Sequence, residues 1–122
     1  YELKECAVGV EEGCLDFACD ETGRYGGLIN GGRSHFSQWD PEKTIQVKVI
    51  SANQSLKEVL SRHDAIDILK IDVEGYENKI LSDLKSEVLF HVAQIYAETE
   101  DNQKINGFFS DCDCGLTRYY RL

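Results

Sequence analysis

Three carboxylates stand where chemistry is easiest to place. Asp72 and Glu74 close the apolar run Ile66 to Val73 in the order Lys70-Ile71-Asp72-Val73-Glu74-Gly75, and Glu98 closes a second run, Val88 to Ala97. Alternation with a period of two puts Lys70, Asp72 and Glu74 on one side of an extended strand. Gly75 directly afterwards permits a turn, and a close approach by a ligand, that a side chain would hinder. Carboxylates around a crevice can act as general bases, bind a hydroxyl or amine, or hold a divalent cation. A plainer reading of the same spacing is a polar strand terminus, with the charge of Glu74 favourable near the start of the following helix.

The remaining polar groups carry weaker signals. Cys112 and Cys114 form C-x-C, but no second pair and no nearby histidines at zinc spacing follow, so no metal site is assigned. His35, His63 and His91 stand singly, and a nucleophile–histidine pair such as Cys6 with His91 would have to be assembled by the fold. Five cysteines at irregular spacing fit the reduced thiols of a cytoplasmic protein better than a disulfide framework.

The elements that must position the carboxylates alternate along the chain. Residues 2–10 and 14–19 read as a hairpin turning at Glu11-Glu12-Gly13. Residues 20–44 hold Gly23, Gly26, Gly27, Gly31 and Gly32 with Trp39 and Pro41, and read as a long irregular segment. Ile45 to Ile50 is a strand. Ser55-Leu56-Lys57-Glu58 matches a capping box, which predicts a helix starting there and ending near Arg62-His63-Asp64. The dense β-branched run Ile66 to Val73 predicts a strand covered on both faces. A helix from Tyr76 to Lys85, a strand from Val88 to Ala97, a short helix around 102–110 and a closing strand at Leu116–Leu122 follow. This rhythm predicts the α/β class, with an open, largely parallel sheet and ligands at the carboxyl ends of its strands.

Composition bounds the function. The chain has 122 residues and 13.8 kDa, read as one domain over 1–122, and 42% hydrophobic residues suffice for a core. Its 13 Lys+Arg against 22 Asp+Glu give a net charge of -9, which argues against nucleic acid and against an anionic membrane surface as partners. No apolar run reaches the roughly 20 residues that span a bilayer, and no signal peptide is visible. A cytoplasmic protein is expected. The chain contains no Met and starts at Tyr1, so it is expected to be processed or cut from something longer.

The block Ile66 to Leu81 resembles the signature of the FkbM-type methyltransferases, D-x-x-K-I-D-x-E-G-x-E-x-x-[VI]-L. The resemblance extends upstream through Val47–Leu60 and downstream to Ile95–Glu98 and Gly115–Leu122. It implies an S-adenosylmethionine-dependent transferase on a Rossmann-like sheet, O-methylating a small molecule or a sugar hydroxyl. In that setting Asp72 and Glu74 become the catalytic candidates, and Lys70 and Glu98 their substrate-binding neighbours. The family's Gly-rich cofactor loop and ribose-binding acid would precede residue 1, because residues 2–8 look like the third strand. The chain is therefore expected to be the C-terminal two-thirds of the domain, a partial Rossmann-like sheet lacking the first strands and the Gly-rich cofactor loop. S-adenosylmethionine, implied by the resemblance, is expected not to bind this chain alone.

Gly23 to Gly32 offers no obvious replacement, since it neither follows an apolar strand nor enters a periodic helix. With Arg24, Tyr25, Arg33, His35 and Trp39 it is a candidate binding lid. The alternative function is a stand-alone, non-enzymatic binding or assembly module that reuses the fold. Loss of the first two strands would expose the edge of Ile66–Val73. A two-fold homodimer is expected, with residues 2–19 and 45–50 in its interface.

Overall fold

β-branched residues concentrate at Ile45–Ile50 and at Ile66–Ile71, and each run sits in a four-stranded sheet of its own. The computed structural model describes residues 1–19, 26–28, 44–73, 75–99 and 103–122, with the side chains of 19 and 26–28 left aside. The first sheet contains β1 (Ala7–Gly9), β2 (Gly13–Cys19), β3 (Gly26–Leu28) and β4 (Thr44–Ser51) in the order β1-β4-β2-β3. Helix α1 (Ala52–Leu60) leads to β5 (Ile66–Ile71), α2 (Glu77–Asp83) and α3 (Ser86–Leu89). The second sheet then assembles from β5, β6 (Val92–Ala97), β7 (Phe109–Asp113) and β8 (Leu116–Tyr120) in the order β5-β6-β8-β7. The architecture is mixed α/β.

Parallel pairing is rarer than the helix–strand rhythm predicts. Among the described residues only β1–β4 and β5–β6 are parallel of six pairings, and the other four are antiparallel. Residues 2–19 do not form a hairpin either. Val49 of β4 pairs with Ala7 on one side and with Gly13 on the other, so β4 lies between the two runs. Gly9 makes this approach close: a Cβ there would meet Val49 Cγ1 at 2.9 Å.

Helix α1 starts at Ala52, three residues before the Ser55–Glu58 box, directly out of β4 through extended Ser51. The box is not formed as a cap. Ser55 Oγ is buried without a hydrogen-bond partner among the described residues, and Glu58 is drawn to Lys4 and Arg62 instead. What fixes the helix start is Asn53, 8% exposed, whose amide donates to the Asp83 carbonyl and carboxylate at 2.9 and 2.8 Å and accepts from Lys85 N–H at 2.8 Å. That side chain staples α1 to the junction of α2 and α3.

Most of the core lies on one side of the second sheet. Ile71, Val92, Ile95, Ala97 and Tyr119 meet Ile80, Leu81, Leu84, Val88 and Leu89, with Ala52 and Leu56 reaching in from α1. The opposite face of β5 is not covered: Ile68 is 61% exposed, contrary to the expectation of a strand buried on both faces. Val88 and Leu89, read as the start of the strand Val88 to Ala97, belong instead to α3, from which both turn into the core, and β6 begins only at Val92. No helix is seen at 103–110; Ile105 anchors a turn there, and β7 follows. The β7–β8 hairpin closes on Cys114 and Gly115, with φ of 49° and 81°, the left-handed pair that a two-residue hairpin loop demands. No helix is long and apolar enough to cross a membrane among the described residues.

Candidate functional site

Strand β5 ends at Ile71, so Asp72 is the first residue released from the sheet. Parallel pairing sets Ile71 opposite Ala97, and the next residues along the two strands are Asp72 and Glu98. The register thus delivers both carboxylates to the same, carboxyl end of the sheet. Lys70 Nζ lies 2.5 Å from Asp72 Oδ2, which places Lys70 and Asp72 on one side as the alternation requires. The Asp72 carboxylate, by its hydrogen bond and then its charge, raises the Lys70 ammonium above the ordinary lysine value, and Glu98 adds to this. The side chains of the pair are 60% and 42% exposed, so water screens the attraction. Glu74 lies outside the described residues, as does most of the glycine-rich stretch 23–32.

The turn after Asp72 is fixed by two devices. Gly75 has a φ of 96°, a conformation that side-chain-bearing residues rarely adopt. Glu77, the first residue of α2, is 4% exposed and folds its carboxylate back over the turn. Its Oε1 accepts the Val73 N–H at 3.1 Å and its Oε2 accepts the Gly75 N–H at 2.8 Å. Reading by alternation passes over Glu77, because it belongs to the helix; the local signal is a glutamate two residues after a glycine at a strand-to-helix turn.

An open cleft of about 1080 Å³ lies beside this turn. Cys6 to Val10 of the β1 region and Leu15 and Phe17 of β2 form one wall, while Asp72, Val73, Gly75, Tyr76 and Lys79 form the other. Lys79 Nζ stands 4.6 Å above the centroid of the Tyr76 ring. Of the four candidates read from the sequence, Asp72 lines the cleft; Lys70 and Glu98 stand outside its lining, and Lys70 is joined to it by its ion pair with Asp72. Both β1 and β5 are terminal strands of their sheets, each with a single neighbour among the described residues.

Behind the end of β6 a buried polar knot replaces apolar packing. Thr99 Oγ1 donates to Thr117 Oγ1 at 2.9 Å, and Thr117 Oγ1 donates to the Thr99 carbonyl at 3.1 Å. Burial pushes the nearby Tyr119 phenol above the ordinary tyrosine value. Cys112 Sγ approaches the same Thr99 carbonyl at 3.9 Å. Cys6, Cys14, Cys112 and Cys114 are free thiols.

The arrangement offers a carboxylate beside an ammonium at the mouth of a partly apolar cleft, suited to holding a hydroxyl group. The family model of the methyltransferase FkbM domain matches residues 1–115. No curated protein and no solved structure matches the chain.

Proposed function

This chain belongs to the FkbM methyltransferase domain family, and from that premise we propose that it forms the substrate-side part of an O-methyltransferase acting on a hydroxyl of a small molecule or sugar. The observation that carries this reading is Asp72, held at the carboxyl end of β5, lining the cleft and paired with Lys70. In this reading Asp72 and Glu74 accept the hydrogen bond and the proton of the substrate hydroxyl. Lys70 fixes the Asp72 carboxylate, and Glu98 borders the same strand end and contacts further hydroxyls.

S-adenosylmethionine is the methyl donor that the family implies. Its adenosine moiety needs a backbone loop that approaches closely and an acid on the ribose hydroxyls. Among the described residues β4 enters α1 without any intervening loop, and β5 reaches α2 through a turn already filled by the Glu77 carboxylate. Neither connection is a cradle for the cofactor. The reading is therefore that this chain alone holds neither the cofactor nor methyltransferase activity. Calorimetric titration of S-adenosylmethionine into the 122-residue chain is expected to give no heat of binding. Micromolar affinity would sink this part of the proposal.

The second reading, an assembly module without enzymatic activity, is favoured by a different observation. β5 is a terminal strand carrying Ile68 at 61% exposure, an edge that invites pairing with another strand. Methyl transfer to a small-molecule or sugar hydroxyl by the protein expressed from its full coding sequence would decide for the enzyme and against the module.

A further inference from the structure

Glu77 is a charged residue that the substrate contacts proposed above leave unused. A buried carboxylate is costly unless its oxygens are hydrogen-bonded. Here both are, and both to main-chain amides of one turn, Val73 N–H and Gly75 N–H, which flank residue 74. A helix that needed only a cap is served by Ser, Thr, Asn or Asp at the preceding position, where Tyr76 stands with no side-chain cap bond. The Val73 N–H belongs to the same peptide plane as the Asp72 carbonyl, so the grip of Glu77 on it orients the backbone from which the Asp72 side chain departs. Gly75, at a φ of 96°, adds a second constraint on the turn's path back into α2.

We propose that Glu77 is a positioning residue: its carboxylate pins the Asp72–Gly75 turn so that Asp72 meets Lys70 and faces the cleft. The purpose of that placement rests on the substrate reading of Asp72, whereas its test uses neither cofactor nor substrate. A failed methyl-transfer assay leaves the Glu77 claim standing, and a failed Glu77 test leaves the family reading standing.

The experiment follows Lys70 by side-chain NMR titration, together with amide hydrogen exchange, in the wild-type chain, Glu77→Gln, Glu77→Asp and Asp72→Asn. Among the described residues Asp72 and Glu98 are the anionic groups acting on Lys70, and Asp72→Asn calibrates the share of Asp72. In Glu77→Gln the Lys70 midpoint is expected to fall by about half of the change seen in Asp72→Asn. The Val73 and Gly75 amides are expected to exchange about tenfold faster, while Ile71 and Ile80 change little. Glu77→Asp, which keeps the charge on a shorter arm, should recover part of both effects. An unmoved Lys70, or exchange that rises uniformly along the chain, would overturn the proposal and leave Glu77 a general stabiliser. Should Glu77→Gln not fold, Glu77→Asp and the wild-type amides decide: unprotected Val73 and Gly75 amides in the wild type reject the clamp, and protected ones with a lowered Lys70 midpoint in Glu77→Asp support it.

Discussion

Lys70 and Asp72 sit two residues apart, and their contact is a direct product of strand alternation carried one residue past the end of β5. The sign of their linkage follows from Lys70. Its value is raised in the folded chain, so the pair contributes fully below the ordinary lysine value and fades as pH rises through the folded one. Asp72→Asn should therefore return the Lys70 titration toward its ordinary position, which NMR of the lysine Cε measures. If the strand end binds a ligand, Asp72→Asn and Glu74→Gln should abolish binding of a hydroxyl-bearing sugar while changing stability by less than about 1 kcal/mol. Saturation-transfer NMR with a monosaccharide panel and thermal melts read the two quantities. A large fall in melting temperature with ligand binding intact would give these carboxylates a structural role. At this scale the sequence was legible where chemistry repeats with a strand's period, as at Lys70 and Asp72. Glu77 was not, since its partners are main-chain amides, which no side-chain pattern reveals.

Elements were legible in their apolar stripes and much less so in their ends and neighbours. The strands read at 45–50 and 66–73 are found as β4 and as β5, the latter ending at Ile71, and the helix face of Ile80 and Leu81 follows hydrophobic periodicity, which burial dictates. The Ser55 box misled because tertiary contacts of Asn53 start the helix earlier than any local cap. Two substitutions separate the two accounts. Asn53→Ala leaves Lys85 N–H and the Asp83 carbonyl without their partner and is expected to cost about 2–3 kcal/mol in chemical denaturation. Ser55→Ala removes a buried hydroxyl that has no partner and should be neutral or stabilising, not the roughly 1 kcal/mol loss of a true cap. The hairpin of β7 and β8 escaped sequence reading for a related reason. Cys114 is an unusual occupant of a left-handed position, so the turn lacks its common Asn-Gly or Asp-Gly signature. Cys114→Gly should relieve that conformation and raise stability by up to about 1 kcal/mol.

Across the whole molecule, the decisive contrast is between covered and uncovered sheet. The register aligns Ile68, Gln94, Tyr120 and Phe109 in one row across β5, β6, β8 and β7, on the face away from Ile71 and Ile95. Ile68 and Phe109 are exposed, and Arg118, one row along opposite Tyr96 and Asp111, clasps this row by donating to Gln94 at 3.0 Å and stacking 4.9 Å over Tyr120. A terminal strand with an exposed isoleucine favours association, and light scattering at micromolar concentration is expected to show a two-fold dimer. Ile68→Lys, which places a second cation near Lys70 on that strand, should shift the population to monomer. A monomeric wild-type chain would reject the dimer. The unequal division of the core has a separate outcome, in time rather than in space. The first sheet keeps only Gly9, Ala18 and Val49 buried among its described residues, whereas the second is backed by three helices and nearly the entire apolar cluster. Thermal opening should then be stepwise: β2 and its pairing with β4 give way at low free energy, and β6, with Ile95 at its centre, only in global unfolding. The half of the molecule that carries Asp72 would outlast its opposite wall, so the cleft would lose its roof before it loses its floor.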